Sequence, residues 1–195
     1  MRVSLRLAVL VSVIVGMTTG CASFNVPSYA PDYPTLDQMK SENIEKISVG
    51  QFQPQDPNAA INKISLRGAA LKPAEGNYAK YLEQAIRSDL AEMRLHDPES
   101  PIRIEATLTQ NYIDVSGIST GYGALAVELS VLKSGQAVFT KKYMVQTSFE
   151  SSLAAAVAVP KGQNEYPNLV KTLLKNIYSD PDFLRSIKKT QEGKK

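Results

Sequence analysis

The chain has 195 residues and a formal net charge of +3, and it contains a single cysteine and a single histidine. One cysteine excludes an intramolecular disulfide, and this scarcity of cysteine and histidine excludes the zinc sites that are built from these two residues. A net charge this close to zero is not typical of nucleic-acid-binding proteins, so we expect no nucleic-acid partner.

The first 20 residues have the layout of a secretory signal peptide. Arg2 and Arg6 form a cationic start, residues 7–15 are almost uniformly apolar, and small residues lead up to Cys21. The apolar run is too short for a spanning helix, which needs about 20 residues. The alternative, a buried N-terminal helix, fits less well because the run is apolar on all sides and then stops at a Gly-Cys pair. We therefore predict cleavage between Gly20 and Cys21, which leaves 175 residues and, since both arginines are lost, a net charge of +1.

Cys21 follows Thr18-Thr19-Gly20, an arrangement that resembles a bacterial lipobox, in which the cysteine thiol is acylated. Thr18 stands where such boxes usually have leucine. A free, exposed thiol would be a liability in an oxidising compartment, which favours a modified cysteine. We predict lipidation at Cys21 and hence a membrane anchor. Ala22 follows the cysteine where an aspartate would direct enteric-type sorting to the inner membrane, so we expect the periplasmic face of the outer membrane.

Beyond the leader, the sequence divides into three predicted parts: a proline-rich tether at 21–43, a single α+β periplasmic domain at 44–189 and a basic tail at 190–195. The tether has no hydrophobic periodicity and contains three prolines, which are Pro27, Pro31 and Pro34. Proline-rich chain extends by about 3.1 Å per residue, so some twenty residues could span roughly 60 Å. Packing of Tyr29 and Tyr33 on the domain is the alternative.

The domain begins with two predicted strands, at 44–52 and 61–71. A helix follows, since apolar residues recur at near-helical spacing; they are Tyr78, Leu82, Ile86, Leu90 and Met93. Asn77 is a suitable N-cap because its side chain can accept a hydrogen bond from a free amide of the first turn. Asp97-Pro98 ends the element.

Three strands with clear alternation follow at 101–113, 124–132 and 137–149, and the last two are joined by the hairpin signal Ser134-Gly135. A long apolar stripe then predicts a helix with Pro167 in its first turn; its members are Tyr166, Leu169, Val170, Leu173, Leu174, Ile177 and Tyr178. The predicted fold is α+β, an antiparallel sheet of four to five strands packed by two main helices in the order β-β-α-β-β-β-α.

No residue pattern predicts catalysis, a metal site or a cofactor, so we do not expect an enzyme. His96 lies where the first helix ends, a position at which a cationic side chain is locally favourable. Gly117, Gly121 and Gly123 lack the spacing of a phosphate-binding loop. The carboxylates are scattered through the chain, which gives no support for a catalytic pair.

Two segments are candidates for binding. Residues 151–160 are apolar and uncharged between a strand and a helix, where connections are usually polar. This segment is predicted either as a buried edge or short helix, or as an exposed contact loop with Leu153, Val157 and Val159 at its surface. The second candidate is 113–122, for which a long hairpin connection is the alternative.

Five sequence stretches give the chain a resemblance to a known family. They are TTGC at the end of the leader, YAKYLEQAIRSDL in the first helix, IRIEATLTQNYIDVS in the third strand, and LVKTLLKNIY with the following DPDF near the end. Together they resemble the YajG-like family of bacterial outer-membrane lipoproteins, and the domain plan is similar to that of LptE-like and PqiC-like lipoproteins. These stretches are packing patterns, so the resemblance assigns no functional residue besides Cys21.

The resemblance implies a lipid-anchored, non-enzymatic accessory or interaction module of the cell envelope, with the membrane and an envelope protein as its partners. Two alternatives stay open. The first is an auxiliary component of an envelope transport system that binds a lipid or small molecule, which requires a pocket with an apolar lining. The second is a periplasmic hydrolase, which requires two acids facing one cleft with perturbed pKa values.

Overall fold

The structure is a computed structural model that describes residues 23–189, and these residues form two mixed sheets and four helices. In chain order the elements are β1 (Ser23–Asn25), α1 (Tyr33–Lys40), β2 (Ser48–Val49), a 3-10 turn (Ala60–Asn62), β3 (Ile64–Leu66), β4 (Ala69–Lys72), α2 (Tyr78–Glu92), β5 (Ile102–Asp114), β6 (Thr120–Lys133), β7 (Gln136–Glu150), α3 (Ala155–Tyr178) and α4 (Pro181–Ile187). The predicted signal peptide, Cys21 and the basic tail at 190–195 lie outside the described residues.

The larger sheet has the strand order β2-β5-β6-β7. Its last three strands form the predicted antiparallel meander, and β2 adds to β5 in parallel. Successive side chains along each strand point to opposite faces of the sheet, and one of these faces is buried in the core. In β6 the residues on the buried face include Leu125, Val127, Leu129 and Val131. Ser134 and Gly135 form the predicted two-residue turn with positive φ angles of 49° and 83°, the backbone that a tight hairpin requires.

The smaller sheet has the order β1-β4-β3, and two of its strands come from one predicted strand. The segment 61–71 is a hairpin whose turn lies at Arg67 and Gly68, with φ angles of 52° and 85°. Gly68 fits this turn because glycine adopts positive φ without a steric penalty. The α+β class is therefore confirmed, with the strands shared between two sheets instead of one.

The predicted first helix corresponds to α2, and its N-cap prediction is confirmed because the Asn77 side chain accepts a 2.8 Å hydrogen bond from the Lys80 amide. The last helix is longer than predicted. It begins at Ala155 and passes through Pro160 and Pro167, so Pro167 is not in its first turn. Proline has no amide hydrogen, so Pro160 cannot donate a hydrogen bond to the carbonyl of Ala156, four residues earlier. Because Ala156 is exposed, water can bond to this carbonyl instead. The long helix thus tolerates this proline at its exposed beginning.

The predicted tether is not extended away from the domain over its described residues. β1 pairs with β4, and the following chain buries Val26, Leu36 and Met39 in the common core. Pro34 lies at the start of α1, where proline costs no hydrogen bond. The prolines that suggested an extended tether therefore belong to a short helix and its connections. No helix within residues 23–189 is long and apolar enough to cross a membrane.

Candidate functional site

The N-terminal strand fixes where the chain leaves the domain toward Cys21. Ser23 is the first residue of β1 and pairs with Ala70 at the start of β4. Both strands run in the same direction, away from the turn at Arg67 and Gly68. The first residue of β1 therefore lies at the end of the domain at which this turn lies.

Two loops lie at the same end of the domain as this turn. The Arg67 guanidinium donates hydrogen bonds to the carbonyl oxygens of Ser152, at 3.1 Å, and Gly117, at 3.4 Å. The Ser151 amide donates to the Ser119 carbonyl at 2.8 Å. We call this region the anchor end; it comprises the turn 67–68, the loop 115–119 and residues 151–157. The two segments predicted separately as binding candidates are thus brought together.

Large apolar side chains are exposed at the anchor end. Ile118 is 72% exposed, Leu153 66% and Val157 44%, whereas Val159 is buried. Of the three predicted contact residues, two are therefore at the surface and Val159 belongs to the core. Residues 153–157 form an uninterrupted exposed run, Leu-Ala-Ala-Ala-Val, without a charge.

The division of this segment into an exposed and a buried part follows from the packing of α3. A Cβ atom on Gly162 would lie 2.6 Å from Val115 Cγ1 and 3.1 Å from Ile113 Cγ2, so the helix lies against the end of β5 at this glycine. The close approach turns Ala158 and Val159 inward. The preceding residues of the helix, 155–157, are exposed.

Asp89 attaches the N-terminal segment to α2. Its carboxylate is fully buried, and Oδ2 accepts a 2.9 Å hydrogen bond from the hydroxyl of Tyr29. Burial raises the pKa of Asp89 to about 6, although the hydroxyls of Tyr29 and Tyr178 favour the carboxylate and act in the opposite direction. A second contact, from the Tyr81 hydroxyl to the Pro27 carbonyl at 2.8 Å, holds the same segment. Asp89 is thus a buried structural group.

A second carboxylate with a shifted pKa joins the end of the chain to the large sheet. Asp180 caps α4 through the Asp182 amide, and its Oδ2 accepts hydrogen bonds from Lys141 Nζ at 2.7 Å and Tyr143 Oη at 2.6 Å. Burial alone would raise the pKa of Asp180, but these three donors outweigh it and lower the pKa to about 2. The arrangement ties α4 to β7.

A groove at the β2–β5 edge has a volume of about 740 Å³ and a mostly polar lining. Its two carboxylates each have a basic partner: Glu105 lies 2.8 Å from Arg103, and Glu128 lies 3.7 Å from Lys142. Such a groove does not offer the apolar lining that a lipid-binding pocket needs. Within residues 23–189, no three His, Cys, Asp or Glu side chains are grouped closely enough to hold a metal ion.

His96 is in a different setting from the one its sequence suggests. Its Nε2 lies 3.1 Å from a guanidinium nitrogen of Arg87. Burial and this neighbouring cation lower the pKa of His96, so the imidazole does not serve as a cation at the helix end.

Sequence analysis did not single out three large side chains on the outer face of the four-stranded sheet. Tyr112, Tyr122 and Met144 are all exposed there, on the strand positions that alternate with the core. Their position in the period-two pattern would have placed them on this face, where polar side chains are expected. Arg67 was also missed, because only the folded chain shows that it joins the two loops.

The fold defines an α+β protein with a helix-covered mixed sheet, and comparisons with known proteins identify one that shares it. A Xanthomonas campestris protein of the DUF330 family superposes with a TM-score of 0.55 at 11% identity, over 80% of this chain and 95% of that one. A Caulobacter crescentus protein gives a TM-score of 0.46 at 11% identity over 78% and 95% of the two chains. A minor lipoprotein from Acinetobacter baumannii gives 0.44 at 13% identity over 76% and 97%.

The comparison with the Xanthomonas protein supports a common fold. At 11% identity it does not support a common function. No protein-family model matches the chain, and no curated protein matches it. The specific YajG-like resemblance seen in the sequence is not supported by these comparisons.

Proposed function

We propose that this chain is a bacterial lipoprotein, anchored through acylated Cys21 at the periplasmic face of the outer membrane. Its α+β domain acts there as a non-enzymatic accessory or interaction module of the cell envelope. The observation that carries the proposal is the position of β1, whose first residue, Ser23, is paired in a sheet only two residues after Cys21, the predicted first residue of the mature chain.

A lipid at Cys21 would hold the domain directly at the membrane. Two extended residues reach at most about 7 Å, compared with the roughly 60 Å expected of an extended tether of some twenty residues. One fatty chain gives marginal membrane binding and two or more give stable binding, so a multiply acylated cysteine is a sufficient anchor for the domain.

The two alternative functions have less support from the described residues. The transport alternative needs an apolar pocket, whereas the groove at the β2–β5 edge is polar. A smaller groove of about 470 Å³ beside β3 and β4 is more apolar, but Lys63 and Lys72 also line it. The hydrolase alternative needs two acids with perturbed pKa values in one cleft. Asp89 has a raised pKa but is fully buried, and Glu105 and Glu128 are each neutralised by a basic neighbour.

Fractionation of the bacterium's membranes tests the anchor. The unaltered protein should sediment with the outer membrane, and Cys21→Ser should leave an unprocessed precursor or release the protein. Thr18→Leu is the matched control: it installs the usual lipobox residue and should leave the location unchanged. Unchanged processing and fractionation of Cys21→Ser would refute lipidation at this residue.

Crosslinking in intact cells tests the interaction role. A tagged, lipidated protein should form a reproducible crosslinked species with an envelope protein, and Cys21→Ser should form less of it because the domain is no longer held at the membrane. Crosslinked species of equal amount from both forms would contradict a role that depends on the anchor.

A further inference from the structure

We infer that the anchor end is a second membrane contact, in which Ile118, Leu153 and Val157 enter the lipid interface beside the acylated cysteine. This inference rests on the proposed function and adds to it an orientation of the domain. The partner of this apolar surface is the bilayer into which the acyl chains insert.

The first support is the position at which β1 begins. β1 runs parallel to β4 and away from the Arg67-Gly68 turn, so Ser23, two residues after the proposed lipid site, lies at the anchor end. A bilayer holding the acyl chains then lies within about 7 Å of the β1 start. The exposed apolar residues are thus at the end of the domain that the membrane approaches.

The second support is the composition of this surface. Residues 153–157 and Ile118 are exposed and apolar; Ser116 and Ser119 are small polar neighbours, and the guanidinium of exposed Arg67 is bonded to the loop carbonyls of Gly117 and Ser152. Apolar side chains beside small polar ones suit a segment at the boundary between headgroups and acyl chains. Asp114 is also exposed nearby, where hydrogen bonds from Ser116 and the charge of Arg67 lower its pKa.

The opposite end of the domain has a different character. There, beside the Ser134-Gly135 turn, a shallow groove has several charged side chains in its lining, and these are Glu45, Lys46, Asp97, Glu99 and Lys133. The anchor end also has charged residues, including Arg67 and Asp114, but it alone of the two ends combines them with the exposed apolar run 153–157 and Ile118, which suits a lipid surface.

The third support is that the anchor end is held in place by the fold. Arg67 joins the turn to both loops, and the Gly162 contact holds the beginning of α3 against β5. Lys161 Nζ also lies 2.7 Å from a Glu150 carboxylate oxygen across the base of the loop. Side chains fixed in this way can contact a bilayer without the loss of conformational freedom that a flexible loop would incur.

Single-tryptophan fluorescence tests the inference on the full mature lipoprotein, because the chain contains no tryptophan. Leu153→Trp and Ile118→Trp place the fluorophore at the anchor end. Val138→Trp is the matched control, since Val138 is 50% exposed on β7 near the opposite end. Each variant is purified from membranes and reconstituted in phosphatidylethanolamine and phosphatidylglycerol vesicles with or without brominated acyl chains. Circular dichroism confirms that each variant is folded.

We expect brominated lipid to reduce the emission of Leu153→Trp and Ile118→Trp by about half, because an interfacial side chain lies about 5–10 Å into the boundary. Val138→Trp should be unaffected. Equal emission changes in all three variants on vesicle-bound protein would overturn the inference while leaving the proposed anchor intact. Failure of the protein to bind vesicles, or binding by Cys21→Ser equal to that of the lipidated form, would instead overturn the proposed function.

A protein occupant is distinguished by a photo-crosslinking residue at position 153 in intact cells. Lipid contact predicts no discrete protein adduct from this position. A reproducible adduct, together with unquenched Leu153→Trp in the vesicles, would show that a protein covers the anchor end and would overturn the inference.

Discussion

The Tyr29 hydroxyl donates a 2.9 Å hydrogen bond to the buried Asp89 carboxylate, which lies 60 residues further along the chain. The contact joins the segment that follows the proposed lipid to the last turn of α2. Because of this bond and the β1–β4 pairing, the chain from Ser23 onward belongs to the domain. If Cys21 is the proposed lipid anchor, the fold and not an extended tether sets the distance of the domain from the membrane.

Tyr29→Phe should lower the free energy of unfolding by about 1–3 kcal/mol, because it removes a hydrogen-bond donor from the buried Asp89 carboxylate. Urea denaturation followed by circular dichroism measures the change. Tyr33→Phe is the control. Because the Tyr33 side chain is exposed, removing its hydroxyl should change the free energy of unfolding by about 0.5 kcal/mol or less. Equal effects of the two substitutions would contradict a specific role for the Tyr29–Asp89 bond.

The raised pKa of Asp89 predicts a pH dependence of stability. Its pKa is about 6 in the folded chain and 3.8 as the reference value, so the folded state favours the protonated acid. Its contribution is fully present below about pH 4 and is lost as the pH rises through 6. Relative to Asp89→Asn, the wild type should therefore lose about 2–3 kcal/mol of stability between pH 4 and pH 7. Parallel stability curves for the two proteins would show that Asp89 titrates normally.

Asp180 predicts the opposite pH dependence. Its pKa is lowered from 3.8 to about 2, so its stabilising contribution is present above about pH 4 and is lost as the pH falls toward 2. Asp180→Asn should cost about 2 kcal/mol at pH 7, since two charge-assisted or short hydrogen bonds are weakened.

Asp182→Asn is the control for Asp180, because the exposed Asp182 pairs only with Arg185 at the surface, at 3.1 Å. Its effect should stay below about 1 kcal/mol. Urea denaturation at pH 7 and at pH 3 distinguishes the two positions. If the loss of stability caused by Asp180→Asn is as large at pH 3 as at pH 7, the lowered pKa of Asp180 is not its cause.

Gly162→Ala should destabilise the domain by about 1–3 kcal/mol, because its Cβ would come within 2.6 Å of Val115 and force the helix away from β5. Thermal unfolding of the variant measures the effect. Ala156→Ser, at an exposed position of the same helix, should change the stability by about 0.5 kcal/mol or less. A neutral Gly162→Ala would show that α3 does not need this close approach.

The elements that the sequence predicted well are those whose pattern is local. The alternation of β5, β6 and β7, the Asn77 cap and the Ser134-Gly135 turn are each encoded within a few residues, and each is present. The α+β fold class could be predicted from these elements, since their order along the chain already required a sheet covered by helices.

The errors fall where distant residues decide the structure. The 21–43 segment has no periodicity of its own, and Ser23 is ordered by a partner strand at Ala70. Pro167 suggested that α3 begins near that residue, but the helix begins at Ala155. The packing of Gly162 against Val115 and Ile113 keeps the turns before Pro167 helical. The anchor end could not be predicted as one surface, because its two loops meet through long-range contacts, which are the Arg67 hydrogen bonds and the bond from the Ser151 amide to the Ser119 carbonyl.

Intact-mass analysis of the mature protein, extracted from membranes, tests the central proposal most directly. We predict a chain that begins at Cys21 and carries the added mass of its acyl chains, with the modification confined to the N-terminal peptide after proteolysis. A mature protein that begins elsewhere, or that begins at Cys21 with an unmodified thiol, would contradict the lipid anchor.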